Sequence, residues 1–513
     1  MFSTATLPDD PALLKAVVTA QHAEIEHLKH VIAKLRRMHF GQRSEQLDAS
    51  LGQLELALEE LETIRAERGD ADEAPAADDK EGARRQVRKP LPDHLPRETV
   101  EYPPVECTCP GCGGRLKKLG EDVAETLEYV PEHFKVVRHV RPKFACAACD
   151  TIVQAPAPSR PIARGLAGPG LLAHVLVAKY ADHLPLYRQS EIYARSGVEL
   201  ERSTLADWVG QCSRLLRPLV EAIRRHVLNG DKIHADDTPV PVLAPGEGKT
   251  KTGRLWPYVR DDRPWGGSDP PAAAYYFSPD RKGEHPQRHL ARFTGILQAD
   301  AYGGFAKLYE PTPSAAQPRV REAACWAHLR RDFHDVWKAT GSTIARDALE
   351  RIGRLYDIER EITGAAANRR RDVRQARSRP QVEAFRSWCE RQLGGLPGKG
   401  DLARAMRYAL KRWDAFTLFL EDGRVAIDNN PAERAIRPVA LGRRNWLFAG
   451  SDTGGETLAD AMTLIETAKF SGLDPEAWLA DVLARINEHL VTRLDELLPW
   501  NWTRGLTEAA RAA

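Results

Sequence analysis

No stretch of the 513-residue sequence approaches the roughly 18 consecutive apolar residues that a membrane-spanning helix needs, so no membrane partner is expected. Met1 to Pro11 lacks the basic region and apolar stretch of a signal peptide, and no export is expected. Charge of one sign is also missing: 74 basic residues face 72 acidic ones, a net +2 that identifies no partner. Any reading of a polyanionic partner must therefore rest on local clusters. Eight cysteines are too few for a disulfide scaffold in a chain this long. Five of them crowd between Cys107 and Cys149, which points to metal binding in a reducing compartment. No internal repeat is evident. The length exceeds one ordinary core, and three or four structural units are expected.

What is present changes character along the chain, and the fold class it predicts is multidomain α+β. Leu14, Val18, Gln21, Ile25, Leu28, Ile32 and Leu35 alternate by four and three, and Leu47, Leu51, Leu54, Leu58 and Leu61 resume the pattern. That is a coiled-coil seam, predicting N-terminal helices over 1–65 that pair within the chain or with a second copy. Residues 66–98 mix acidic residues with Ala and Pro and then turn basic, as a linker does. Short strands between cysteine pairs come next, over 99–155. Residues 156–228 read as helical, and Leu186 to Val209 is broken at Ser196-Gly197-Val198 with Ser203 placed to cap a second helix. A helix-turn-helix and an ordinary helical hairpin fit that punctuation equally. Strand-like runs at Lys232–Leu243, Leu255–Arg260, Ala272–Phe277, Gly295–Ala299 and Arg321–Cys325 predict an α/β unit, with a helix over Trp326–Trp337. Residues 340–420 read as charged helices containing the arginine run Arg369–Arg379. A strand-turn is predicted around Arg443–Gly450, and amphipathic helices over Leu458–Phe470 and Pro475–Leu498.

Cys109-Pro-Gly-Cys112 and Cys146-Ala-Ala-Cys149 are two knuckles, each placing two thiolates on a tight turn. Together they complete a tetrahedral Zn2+ site of the ribbon type, closed to substrate and hence structural. Between them His139, Arg141 and Lys143 alternate with Val140, Pro142 and Phe144, which makes Arg141 and Lys143 candidate phosphate contacts or simply a solvated face.

Two acids sit where buried strands deliver them: Asp236 after Lys232-Ile-His-Ala, and Asp300 after Gly295-Ile-Leu-Gln-Ala. Carboxylates converging on one point suit Mg2+, and a pair of such ions suits phosphodiester chemistry. Asp236 and Asp237 must point to opposite faces of a strand, and spacing does not decide between them. Glu433, in Asp428-Asn-Asn-Pro-Ala-Glu433, is a third candidate. The same residues make a helix start with Asn430 as cap, Pro431 and a capping box, or an ion pair with Arg437.

These motifs, in order, resemble the transposases of the insertion-sequence 66 family. The resemblance runs from about Phe40 to Trp502. It is carried by Phe40-Gly-Gln-Arg-Ser-Glu45, the two knuckles, His139-Val-Arg-Pro-Lys-Phe-Ala-Cys146, His234-Ala-Asp-Asp-Thr-Pro239, Asp300-Ala-Tyr302, Cys325-Trp-Ala-His-Leu-Arg-Arg331, Asp428 to Arg437, Gly442-Arg-Arg-Asn-Trp-Leu-Phe448 and Pro499-Trp-Asn-Trp502. It implies a ribonuclease-H-like α/β catalytic domain over 229–338 and 421–470, a helical insertion over 339–420 and a C-terminal helical element over 471–513. It places the catalytic, magnesium-binding acids at Asp236, Asp300 and Glu433, with His328 secondary through the Cys-x2-His element of Cys325 and His328. Asp237 departs from the family, where Glu is usual.

The implied activity is that of a DDE transposase: metal-dependent cleavage at the ends of a mobile element, then attack of the 3′-hydroxyl on target DNA. Two Mg2+ (or Mn2+) ions would serve catalysis, alongside a structural Zn2+ from Cys109, Cys112, Cys146 and Cys149. The implied partners are double-stranded DNA, a second copy of the chain through the N-terminal helices, and accessory small proteins of the same element. Arg443, Arg444 and Trp446 would touch DNA, and the place of action would be the cytoplasm, on the nucleoid when DNA is bound. A catalytically dead zinc-ribbon regulator, and a nuclease that cuts without rejoining, are the rival readings.

Overall fold

The computed structural model describes residues 91–103, 111–112, 114–130, 133–163, 165–244, 249–311, 318–398, 400–446 and 449–502. The expected coiled-coil helices, most of the expected linker, Cys107 and Cys109 lie outside these residues.

The first sheet contains β1 (Arg97–Glu101), β2 (Leu116–Val130), β3 (His133–Cys146) and β4 (Ile152–Gln154), in the order β1-β3-β2 with β4 on β3. β2 and β3 form one long antiparallel hairpin, Leu116 opposite Cys146 and Val130 opposite His133. The expected alternation along β3 is present, with Phe134, Val136, Val140, Pro142 and Cys146 buried. β1 opens within the last residues of the expected linker, because Leu95 is buried and the strand pairs in parallel with β3.

Three helices come next: α1 (Pro169–Tyr180), α2 (Leu186–Arg195) and α3 (Arg202–Leu228). The break at Gly197 is as expected, and its φ of 76° is a conformation that favours glycine. The cap expected of Ser203 does not form. α3 starts at Arg202, after Glu201, with no side-chain cap, and continues through Pro218. It buries Leu205, Trp208, Val209, Leu216 and Ile223 and packs along a strand of the second sheet, so it is built into the central core.

That second sheet is made of β5 (Lys232–Ala235), β6 (Thr238–Ala244), β7 (Lys249–Arg260), β8 (Ala272–Ser278), β9 (Gly295–Ala299) and β10 (Val320–Ala323), with the short helix α4 (Glu284–His289) between β8 and β9. β5 and β6 run in succession along one side of antiparallel β7, and β8 pairs antiparallel on its other side. β9 and β10 extend the sheet in parallel from β5. The resulting order is β8-β7-β5-β9-β10. The single run expected over Lys232–Leu243 is thus two strands, interrupted at Asp236-Asp237. All four residues of β5 are buried, as a parallel-paired central strand requires.

After α5 (Trp326–Thr340), a helical body consists of α6 (Thr343–Glu361), α7 (Ala367–Val373), a π turn over Arg374–Ser378, α8 (Arg379–Leu393), α9 (Asp401–Lys411) and α10 (Trp413–Glu421). Phe333, Ile352, Phe385, Phe416 and Phe419 form its core together with Trp326 and with Ile296 and Ala323 of the sheet. The arginine run is split: Arg369, Arg371 and Arg377 are exposed, whereas Arg370 and Arg374 are buried. Arg374 is fully buried, donates from Nε and Nη2 to Glu359 at 2.7 and 2.6 Å, and donates from Nη1 to the carbonyls of Phe419 and Val425. Arg370 is buried beside the same glutamate, and Arg377 and Arg379 pair with Glu361 and Glu421.

The chain then returns through α11 (Asn430–Trp446), α12 (Asp452–Phe470) and α13 (Pro475–Arg485). The strand-turn expected over Arg443–Gly450 is instead helix as far as Trp446, and among the described residues of that stretch Ala449 alone joins the sheet, bridging to Val242. The last expected helix ends at Arg485 and gives way to a 3-10 turn at Val491–Leu497.

Candidate active site

Ala235 and Ala299 are the final register partners of two adjacent parallel strands, so Asp236 and Asp300 leave the sheet next to each other. Gly295 makes this register possible. Its φ is 135°, and a Cβ there would lie 2.2 Å from the carbonyl oxygen of Asp231. Among the described residues neither aspartate has an ion-pair partner. Asp236 accepts only the N–H of Asp237, at 2.7 Å, and Asp300 that of Tyr302, at 3.3 Å. Burial, with repulsion from Asp300, Asp237 and Glu433, pushes the Asp236 carboxyl up to about 7. Burial likewise raises Asp300, partly offset by His328 and Arg281.

Asp237 has the opposite environment. Its side chain is 1% exposed and is held by Arg254 at 2.9 Å and by Arg281 at 2.7 Å. The Arg281 guanidinium lies over the Tyr302 ring, 4.2 Å from its centroid. Asp237 is a neutralised anchor, whereas Asp236 is the one of the pair left without a counter-charge.

Glu433 sits in the first turn of α11, and the expected capping box does not form. Asn430 bonds to Asp428 through its side chain, and the N–H of Glu433 goes to the carbonyl of Asn429. The Glu433 carboxylate faces His328 at 3.6 Å and Arg331 at 3.5 Å, and no ion pair with Arg437 forms. Glu433 Oε1 and His328 Nδ1 are both buried without a hydrogen-bond partner among the described residues. The oxygens of Asp236, Asp300 and Glu433 do not all fall within the 4.8 Å that collects Cys325, His328 and Glu433. Two ions roughly 3.5–4 Å apart, each bound at roughly 2.1 Å, span a wider set of ligands than one ion does.

Two side-chain amides stitch the segment before α11 to the strand ends. Gln298 on β9 donates to the carbonyl of Ala426 at 2.6 Å and accepts its N–H at 3.2 Å. Asn429 is fully buried, donates from Nδ2 to the carbonyl of Ala235 at 2.8 Å, and gives its own N–H to Cys325 Sγ at 3.2 Å. Its Oδ1 must then accept from His234 Nδ1 (3.0 Å), which leaves His234 Nε2 to accept from Lys232 Nζ at 2.9 Å. Burial and the Lys232 charge hold His234 well below the usual imidazole range, consistent with that neutral tautomer. Lys232, Gln298, Arg254, Arg281 and Asn429 were not singled out by sequence. Their partners come from other elements of the fold, apart from the Lys232–His234 contact within β5.

The other expected residues lie elsewhere. Cys112, Cys146 and Cys149 converge, with Sγ–Sγ distances of 3.3 Å from Cys112 to each of the others, and the expected fourth ligand, Cys109, lies outside the described residues. Three converging thiols fit a zinc ion. Lys143 and Arg141 both reach Asp122, at 2.6 and 3.6 Å, and Arg443 donates to the carbonyl of Pro239 at 2.7 Å. The side chains of Arg444 and Trp446 lie outside the described set.

Comparison with known proteins adds an independent line. A family model described as "Transposase IS66 family" matches residues 164–457. Models for a zinc-finger binding domain of transposase IS66, for "Transposase C of IS166 homeodomain" and for an IS66 C-terminal element match 106–150, 27–100 and 463–500. Among curated relatives, the Sinorhizobium fredii protein y4hP is 48% identical over 495 residues, covering 92% of this chain and 88% of its own. From the same organism, y4qI is 41% identical (96% and 92% covered) and y4jD 39% identical (97% of each). All three are described as uncharacterized proteins. No helix among the described residues is long and apolar enough to cross a membrane.

Proposed function

Since this chain belongs to the IS66 transposase family, we propose that it is an active DDE transposase that cuts the ends of its element and joins them to target DNA. One observation carries the reading: two uncompensated aspartates emerge side by side from parallel strands, and a helix fastened to those same strand ends brings a glutamate with an unpartnered oxygen. Uncompensated, half-desolvated carboxylates are costly to keep unless a cation is to be bound. The strand order, with three antiparallel strands and two parallel additions, supports a ribonuclease-H-like catalytic domain.

In this reading Asp236, Asp300 and Glu433 hold two Mg2+ ions, with Mn2+ able to substitute. When bound, the ions supply charge stabilisation at the phosphate and a more acidic attacking oxygen. The chain's own residues do the rest. Asp237, locked between Arg254 and Arg281, fixes the turn on which Asp236 stands. Asn429 and Gln298 hold the distance between the strand ends and Glu433. His328, beside Glu433, orients that carboxylate. Lys143 and Arg141, on the ribbon's central strand β3 and both reaching Asp122, are proposed backbone contacts to double-stranded DNA, with Arg443, Arg444 and Trp446 nearer the cut. Self-association through the N-terminal helices, accessory proteins of the same element and action at the nucleoid belong to the same proposal.

The test is strand transfer in Mg2+ with supercoiled target and duplexes bearing the element's ends. Wild type is expected to give cleaved and joined products, and Asp236→Asn, Asp300→Asn and Glu433→Gln neither. Cleavage that survives Glu433→Gln rejects the ligand assignment. Cleavage by the wild type without joining of a pre-cut end selects the plain nuclease instead.

A further inference from the structure

Beside the aspartate pair lies a different donor set. Cys325 just past β10, His328 in the first turn of α5 and Glu433 in the first turn of α11 bring a sulfur, an imidazole nitrogen and a carboxylate oxygen within 4.8 Å of one another. We propose that these three residues form a second metal site, selective for a soft divalent cation such as Zn2+, and that its occupation withdraws Glu433 from Asp236 and Asp300.

Three observations carry this. His328 Nδ1 and Glu433 Oε1 are buried, have no hydrogen-bond partner among the described residues and face each other at 3.6 Å, too long for a hydrogen bond. Ligands around tetrahedral Zn2+ stand roughly 3.3–3.6 Å apart for bond lengths of roughly 2.0–2.3 Å, a spacing the His328–Glu433 pair already has, while Cys325 Sγ lies within 4.8 Å of both. Next, Cys325 Sγ accepts the backbone N–H of Asn429 at 3.2 Å and that of His328, at the start of a helix. Peptide N–H groups and a helix N-terminus are what stabilise a thiolate. Last, all three donors stand on the ends of rigid elements, and Glu433 and His328 are 28% and 25% exposed, which gives an ion a way in.

The donor chemistry separates this site from its neighbours. Mg2+ takes oxygen ligands and does not choose a thiol with an imidazole, whereas Zn2+ accepts all three. Three protein ligands leave a fourth position open, and the mixed sulfur, nitrogen and oxygen donors set this site apart from the all-thiol cluster of the ribbon. Arg331 holds the other oxygen of Glu433 at 3.5 Å and leaves Oε1 facing His328. Without a cation, burial pushes the Cys325 thiol up to about 12, so binding displaces its proton to solvent.

The withdrawal of Glu433 rests on its proposed catalytic role, but the site itself does not, and the test keeps the two apart. The full chain, with zinc in the ribbon, is titrated with Co2+ in Mg2+-free buffer. One added equivalent is expected to give tetrahedral d–d absorption and a thiolate-to-cobalt charge-transfer band. Cys325→Ser and Cys325→Ala are expected to lose that band, His328→Asn to weaken Co2+ binding roughly tenfold or more, and Asp236→Asn to change neither. A band that persists in both Cys325 variants places the cobalt elsewhere and overturns the proposal, as does its absence from folded wild type or its loss in Asp236→Asn. Should Cys325→Ser fail to fold, Cys325→Ala and His328→Asn decide. Zn2+ is further expected to inhibit Mg2+-dependent cleavage by wild type and not by Cys325→Ala. Equal inhibition of both rejects the withdrawal of Glu433. A chain that shows no cleavage at all still reports the site through cobalt.

Discussion

The side-chain amide of Asn429 donates to the carbonyl of Ala235 and accepts from His234, so the segment that leads into the Glu433 helix is tied to the strand that precedes Asp236 by two buried hydrogen bonds. The backbone N–H of Asn429 serves Cys325. Replacing Asn429 by Ala leaves buried groups of His234 and Ala235 unpaired, at about 1–3 kcal/mol each. Strand cleavage is expected to fall roughly a hundredfold through misplacement of Glu433. Denaturant melts and single-turnover rates check both, and a variant with full cleavage would show that the tie is unimportant.

Asp236 and Asp237 are expected to divide cleanly. Asp236→Asn should abolish cleavage without lowering the melting temperature of the metal-free protein, because it removes an uncompensated charge. Asp237→Asn should lose about 2–3 kcal/mol of stability, the cost of stranding two arginines, discounted because Arg281 is partly exposed. Chemical denaturation of the two variants side by side decides.

The raised carboxyl of Asp236 fixes a sign. It binds a proton in the folded chain up to about pH 7 but loses it near its ordinary value when unfolded. Between those two values the unfolded state holds fewer protons, so stability falls as pH rises, then levels off above about 7. Metal-free melting curves should show this decline, and Asp236→Asn should flatten it. Mg2+ requires the ionised form, so its stabilising effect should grow from about pH 6 to about pH 8.

Removing zinc should loosen only the knuckle end of the ribbon. Leu127, Phe134 and Val136, at the other end of the hairpin, belong to the main core. Hydrogen exchange after chelation is expected to accelerate near Leu116 and Cys146 and to stay slow near Leu127. Uniform loss of protection along β2 and β3 would contradict this.

Arg374→Leu is expected to cost about 3 kcal/mol, because it leaves buried Glu359 with Arg370 alone as its partner and takes the donor from the carbonyls of Phe419 and Val425. Urea denaturation measures it. A loss confined to DNA affinity would instead restore the arginine run as a binding surface.

Much of the architecture was readable because apolar runs of four to seven residues ending in Asp have few alternatives to buried strands. Asp236 and Asp300 emerged from that pattern. What stayed hidden depended on distance in the chain. Nothing local distinguishes Arg374, buried against Glu359, from Arg371, which pairs with its exposed neighbour Asp372. The missing capping box has a local cause instead: Asn430 gives its side chain to Asp428, two residues back, and the N–H of Glu433 goes to the carbonyl of Asn429. The turn expected around Arg443 failed for a nonlocal reason: Gly442 interrupts helix propensity, but packing of α11 along β7 and β6 outweighs it.

The helical body between α5 and α11 shares its core with Ile296 and Ala323, residues of the very strands that end near the aspartates. It therefore serves as the outer wall of the sheet. Trimming it away in search of a minimal enzyme would bare those strands to water and unseat the return path to Glu433, so this scaffold can be shortened only by supplying another cover in its place.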